Sequence, residues 1–289
     1  MRNVMKAATL ESRFPLMAVE HGCIISKDAD ITVAYRMELP EVFTLTRAEY
    51  EAMHSTWVKA VKVLPEYSIV HKQDIFIEES YRPEACGEER SFLSRSFERH
   101  FNERPYLKHT CYLFLTRTTK EHSRTTSSFN ALTRGFIIPR EMRDKEAVAR
   151  FLECCGQFER IVNDSGLVRM ERLADGEITG TGTSAGIIEK YLSLSQEGCT
   201  CLQDITIGAG EMKIGDSRLC LHTLSDPEDL PSAVGTDSRY ERLSTDRSDC
   251  RLSFAAPIGI LLTCNHIVNQ YVFIDSPAET LQKFEQTAR

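Results

Sequence analysis

No stretch of this chain is apolar for long enough to cross a bilayer. The longest apolar run, Phe254 to Cys264, is interrupted by Pro257 and Gly259 and falls short of the roughly 20 residues a spanning helix needs. The N-terminus, Met1 to Thr9, has no apolar core of signal-peptide length, so secretion is not indicated. A basic excess is missing as well. The formal net charge is −7, which favours solubility and argues against a nucleic-acid-binding body. The string G-x-x-x-x-G-K-[ST], whose amides, lysine and hydroxyl cradle a nucleotide phosphate and its magnesium, occurs nowhere between Met1 and Arg289; ATP hydrolysis by that route is not expected of this chain. There is no G-x-S-x-G elbow and no H-E-x-x-H helix, so the common serine-hydrolase and zinc-protease signatures are absent.

What is present is an ordinary globular composition, 42% hydrophobic and 27% charged, on a chain long enough for one large core or two smaller ones. The ten cysteines are read as intracellular thiols used as small apolar residues. Cys154 and Cys155 are adjacent within a helical pattern, a poor geometry for bridging each other.

Periodicity marks out the elements. Leu16 to Glu20, Cys23 to Ile25 and Ile31 to Met37 read as consecutive strands, the last two joined by the polar turn Lys27-Asp28-Ala29-Asp30. Thr46-Arg47-Ala48-Glu49 is a capping box, and Tyr50, Met53, Trp57, Val61 and Leu64 form the buried stripe of the helix it starts. A strand over Tyr67 to Ile77 follows. A helix with Leu93, Phe97, His100 and Phe101 on one face is then stopped by Pro105, and Thr110 to Leu115 reads as a strong strand. A long helix runs from Glu141 to Asn163 and ends at Asp164-Ser165-Gly166.

Beyond Gly166 the pattern is weaker. Strands are expected at Leu167 to Leu173, Leu202 to Ile207 and Arg218 to Thr223, with a helix over Ser184 to Leu194 and an irregular acidic stretch over Ser225 to Asp249. Pro257 to Thr263 and His266 to Ile274 form a hairpin candidate around Cys264-Asn265. Many strands follow one another directly, which argues for an α+β fold: mixed or antiparallel sheets with packed helices, in two subdomains, 1–165 and 166–289. At the C-terminus, Ser276-Pro277-Ala278-Glu279 starts a helix that reaches Arg289 without a closing glycine or asparagine. A helix begun so clearly and left open suggests a segment of a longer protein.

Four groupings could carry chemistry. Gly180-Thr181-Gly182-Thr183-Ser184-Ala185 matches G-x-G-x-x-A before a helix, the pattern that lets a backbone approach a pyrophosphate. The acidic turn Ala174-Asp175-Gly176-Glu177 stands where the motif requires a buried strand. The alternative is a flexible turn that caps the next helix. Cys199, Cys201, Cys220 and His222 could hold zinc if two strands brought the pairs together, although C-x-C is not the usual ligand spacing. Alternation along a strand places Cys220 and His222 on one face without any metal. The stretch Arg117 to Arg134, with Lys120 and Arg124, reads as a basic surface loop able to touch phosphates or an acidic partner, or simply to be solvated. The neighbouring carboxylates Glu78-Glu79 and Glu88-Glu89 read as solvated surface. No residue is named as catalytic, cofactor-binding or metal-ligating.

Several strings nevertheless resemble those of one family. They are Ala8-Thr9-Leu10-Glu11-Ser12, the strand Ala18-Val19-Glu20-His21-Gly22-Cys23, and the run Ser91-Phe92-Leu93-Ser94-Arg95-Ser96-Phe97-Glu98-Arg99-His100-Phe101-Asn102. Phe158-Glu159-Arg160-Ile161-Val162-Asn163-Asp164 and Glu241-Arg242-Leu243-Ser244-Thr245-Asp246-Arg247 continue the likeness. Together they resemble the TraG family of conjugative-transposon ATPases from Bacteroides-type bacteria, itself similar to the type IV secretion ATPases. The resemblance implies an N-terminal region that docks on the inner-membrane subunits of a conjugation channel, and a separate C-terminal motor that binds ATP and magnesium. This chain is similar to the N-terminal region only, so no catalytic residue carries over. The expected role is docking and assembly in the cytoplasm, at the inner face of the membrane through protein partners, with self-association of the full-length protein possible and no direct nucleic-acid contact. The alternatives from the residues alone are a small nucleotide-binding enzyme using the Gly180 loop, or a zinc-stabilised structural module.

Overall fold

The computed structural model describes residues 14–81, 91–119, 144–193, 204–208, 210–224, 234–253 and 256–287, with Thr9, Asp226 and Glu228. Its centre is a seven-stranded antiparallel sheet. β1 (Leu16–Glu20), β2 (Cys23–Ser26) and β3 (Ile31–Glu38) form a meander. β4 (Ser68–Glu79) and β5 (Tyr106–Arg117) form a long hairpin, β6 is Arg169–Arg172, and β12 is His266–Ile274. The order is β1-β2-β3-β5-β4-β12, with β6 also paired to β3. The chain is α+β, as its periodicities indicate.

The turn between β1 and β2 shows how local chemistry sets the register. His21 and Gly22 both have positive φ, 56° and 68°, the two-residue geometry that matches the twist of paired strands and that glycine supplies without strain. The Gly22 amide donates to Asp175 Oδ1 at 2.6 Å, and the Arg172 guanidinium donates to the His21 carbonyl at 3.1 Å. Residues far along the chain therefore pin the first hairpin.

One face of the sheet is covered by α1 (Arg47–Val61) and α3 (Lys145–Asp164). The capping box at Thr46 is present: the Glu49 amide donates to Thr46 Oγ1 at 3.3 Å, and the Thr46 amide donates to Glu49 Oε2 at 2.7 Å. α1 closes at Val61, and a tightened turn carries Leu64 into the core. Val33, Tyr35, Leu113 and Leu115 meet Phe151, Cys155, Phe158 and Val162 of α3 there. Trp57 packs edge-on against Phe158, ring centroids 5.6 Å apart. Burial pushes the Cys155 thiol up to about 12, so it behaves as the apolar filler its position implies.

The opposite face carries Ile24, Ala34, Ile75, Ile77 and Tyr112, covered by Leu173, by Ile178 of α4 (Asp175–Thr179) and by Ile187 of α5 (Ile187–Ser193). The boundary expected near Ser165 does not divide the sheet. β6 and β12 come from beyond it and hydrogen-bond to β3 and β4, and both core clusters draw residues from the two sides.

Four other expectations change. The acidic turn at 174–177 is helix α4, its N-terminus capped by Glu177 Oε2, which accepts from the Ala174 amide at 3.0 Å. The hairpin around Cys264-Asn265 does not form: Ala256–Leu261 is helix α6, and β12 pairs with β4. Pro257 suits the first turn of a helix. Gly259 lets α6 lie against the Phe76 ring, which an added Cβ would approach to 2.5 Å. The strands expected near Leu202 and Arg218 contribute to a separate three-stranded sheet, β7 (Ile205–Ile207), β8 (Met212–Ile214) and β9 (Ser217–Leu219). From within the stretch read as irregular, β10 (Ser238–Arg239) pairs with β11 (Arg251–Leu252) just beyond its end.

Candidate interaction surface

The β4–β5 hairpin outruns its neighbours. β3 pairs β5 only as far as Met37 opposite Cys111, and β12 pairs β4 only as far as His266 opposite Phe76. The last three pairs, Ile77–Lys108, Glu78–Leu107 and Glu79–Tyr106, have no third strand beside them among the described residues. Three strand residues reach about 10 Å. Glu79 holds this ribbon together, accepting from Lys108 Nζ at 3.0 Å and from the Tyr106 hydroxyl at 3.2 Å.

In the connection between the two strands lies α2 (Phe92–Asn102), N-capped by Ser91, whose Oγ accepts from the Ser94 amide at 3.2 Å. Leu93, Phe97 and Phe101 recur every fourth residue and so form one row along the helix. That spacing normally marks a buried face. Here no residue of α2 is buried: Leu93 is 77% exposed and Phe97 62%. Tyr81 meets Phe101 with ring centroids 6.4 Å apart, and Phe97 meets Phe101 at 4.5 Å. The polar side is stiffened by an Arg99–Glu103 pair at 2.8 Å, worth little in itself at an exposed helix surface. A clustered, exposed apolar row of this kind is a candidate contact surface.

Where the ribbon joins the sheet, a polar cluster sits on the same sheet face as the main core. Asp74 accepts from His109 Nε2 at 2.8 Å and from Lys72 Nζ. Burial alone would raise the Asp74 pKa, but the His109 hydrogen bond and the Lys72 charge overcome it and hold the carboxyl at about 2. His109, Phe76 and His266 stack across β5, β4 and β12 with centroids 4.5 Å apart at each step. On the other face Phe114, His71 and Tyr271 form a parallel ladder at 5.1 Å and 4.2 Å. Burial depresses the His71 pKa against the opposing hydrogen bond that its ring makes to Asn269 Oδ1, which favours the neutral ring. These ladders tie β12 to β4 and β5, the two strands whose connection contains α2.

The sequence-derived groupings fare differently. In the Gly180–Ala185 loop, Thr181 and Ser184 pair across a tight turn, their hydroxyls 2.9 Å apart. Gly186 crosses so close to Gly180 that an added Cβ would lie 2.2 Å from the Gly180 nitrogen. The Gly186 amide donates to Glu189 Oε2 at 3.0 Å, so this amide at the start of α5 is satisfied by a carboxylate of the chain itself. Gly180 and Gly186 serve this close backbone packing. Of the candidate zinc ligands, Cys199 and Cys201 lie outside the described residues, Cys220 is exposed, and no group of three or more His, Cys, Asp or Glu converges on a metal position among the described residues. Arg117 ends β5, whereas Lys120, Arg124 and Arg134 lie outside the described residues.

The stretches that carry the family resemblance also separate by role. Ala18 to Cys23 forms the first hairpin. In Phe158 to Asp164, Phe158 and Val162 are core residues, and the Asn163 amide group clamps Met170 through two hydrogen bonds of 3.0 and 2.7 Å. Glu241 to Arg247 lies between β10 and β11, where Ser244 Oγ donates to the Tyr240 carbonyl at 2.8 Å and accepts from the Cys250 amide at 3.0 Å. Ala8 to Ser12, Thr9 apart, lies outside the described residues; among the stretches described, Ser91 to Asn102 is the one that turns a row of apolar residues outward, beside the single exposed Leu243 of Glu241 to Arg247. Helical spacing revealed that face, but spacing alone carries no sign of whether anything covers it.

A family model described as "Domain of unknown function, B. Theta Gene description (DUF3875)" matches residues 3–55, which includes the β1–β3 meander and the first part of α1. No curated protein matches the chain.

Proposed function

We propose that this chain is a docking and assembly module of a conjugative-transfer ATPase of the type IV secretion kind, non-catalytic in itself, which supports DNA transfer by holding the motor to its channel. The observation that carries the reading is the outward apolar row Leu93, Phe97 and Phe101 on α2, raised on a ribbon beyond the sheet. It lies in the longest of the stretches that resemble the family. The chain has no P-loop string, and its Gly-rich turn holds its own carboxylate. No helix among the described residues is long and apolar enough to cross a membrane. The reading accordingly puts the module in the cytoplasm at the inner face of the cytoplasmic membrane, recruited through the channel's inner-membrane subunits.

A capture assay tests this. The purified chain, immobilised, is presented with each inner-membrane channel subunit in detergent. One subunit should bind the wild type, and the double substitution Leu93→Gln/Phe97→Gln should weaken that binding at least tenfold with an unchanged melting curve. Failure of every subunit to bind the folded wild-type chain defeats the reading.

A further inference from the structure

Apart from the open tip of the β4–β5 ribbon, the central sheet has three edge strands among the described residues, and they are not alike. β1 is five residues long, ends in Glu20 and has a register irregularity between Leu16 and Ala18. β6 is four residues long and three of them, Arg169, Glu171 and Arg172, are charged. Short length, bulges and charge are the devices that stop a sheet edge from pairing with another chain. β12 has none of them. It runs nine residues, His266–Ile274, in unbroken register with β4, and contains no Asp, Glu, Lys, Arg or Pro. Asn269 to Phe273 are exposed, Tyr271 at 54% and Phe273 at 55%.

The order of residues along this edge is self-matching. Laid antiparallel against a copy of itself and centred on Gln270, Val272 falls opposite Val268, Phe273 opposite Ile267, Tyr271 opposite Asn269, and Gln270 opposite Gln270. Two apolar pairs, one on each face of the sheet, flank the self-paired amide of Gln270; the Tyr271 hydroxyl end meets an amide, and only the outermost pair, Ile274 opposite His266, is mixed. The bracing ladder Phe114–His71–Tyr271 already runs to this edge, so the strand is stiffened where a partner would add.

We propose that β12 is a homotypic interface: two copies of this chain join edge to edge, β12 antiparallel to β12, about a two-fold axis through Gln270, making one continuous sheet. Such a contact is isologous and closes on itself, so it produces a dimer and not a fibre. Main-chain hydrogen bonds supply much of the attraction, with side-chain matching fixing the register. The interface is separate from the α2 surface and independent of the conjugation reading.

Sedimentation of the full chain over a concentration series tests it. Wild type should approach twice the 32.8 kDa chain mass. Gln270→Lys and Gln270→Glu each place two like charges directly opposite at the axis; each alone should remain monomeric, with wild-type melting behaviour showing that the fold is intact. Mixing the two variants should restore a species of doubled mass, an outcome that a simple folding defect does not produce. A wild type that stays monomeric throughout overturns the proposal, as does self-association of both variants at wild-type strength or a mixture that fails to associate.

Discussion

The same two strands run through a dry core and out to an exposed tip, and the contrast separates what folds this protein from what it offers to partners. At one end of the β4–β5 hairpin, Val70, Leu113 and Leu115 lie sealed beneath α3. At the other, Tyr106 is exposed and α2 turns an apolar row to solvent. Both helices have the 3.6-residue apolar period. Only one uses it to bury a face.

The largest effect should come from the sealed end. Phe158→Ala removes a ring that contacts Trp57 and lies wholly within the core, and should cost about 3–5 kcal/mol, measured as a shift in the urea midpoint at constant slope. A loss below about 1 kcal/mol would mean that α3 does not seal the sheet as described.

At the junction between the two regions, Asp74 should have a smaller and pH-dependent effect. Its carboxyl is held below its ordinary value by His109 and Lys72, so its stabilisation is complete above 3.8 and disappears as pH falls to about 2. Asp74→Asn should therefore lose about 2 kcal/mol at neutral pH, and the gap from wild type should narrow through that acid window. A gap that is constant with pH would assign the effect to lost packing instead of charge.

The smallest effect belongs to the exposed end. Phe97→Gln keeps a good helix former at a position that is already wet, and should change stability by less than about 0.5 kcal/mol in the same urea titration. A substantial loss would show that the α2 row is covered within the folded chain, and would remove the contrast.

Much of this arrangement is legible locally. The Thr46–Glu49 box and the alternation in Ile31 to Met37 are each set by residues within a few positions, so their geometry follows from nearby chemistry. The long-range pairings are not legible in that way. Nothing near His266 to Ile274 indicates that its partner is Ser68 to Phe76, and the apolar neighbour Pro257 to Thr263 offers a closer but false match. The role of Gly180 is hidden for a related reason: a glycine that lets a backbone cross leaves no local signature, and the close approach of Gly186 appears only in the folded chain.

By itself, then, the sequence determined the α+β class, the helix and strand periods and the lack of a phosphate-binding lysine loop, because these depend on residue type and spacing alone. The tertiary structure decided that residues on both sides of Ser165 share one sheet, that the α2 row faces outward, and that β12 stands at an unguarded edge. Exposure and strand partnership are properties of surfaces brought together over more than a hundred residues of chain, and short-range pattern holds no record of them.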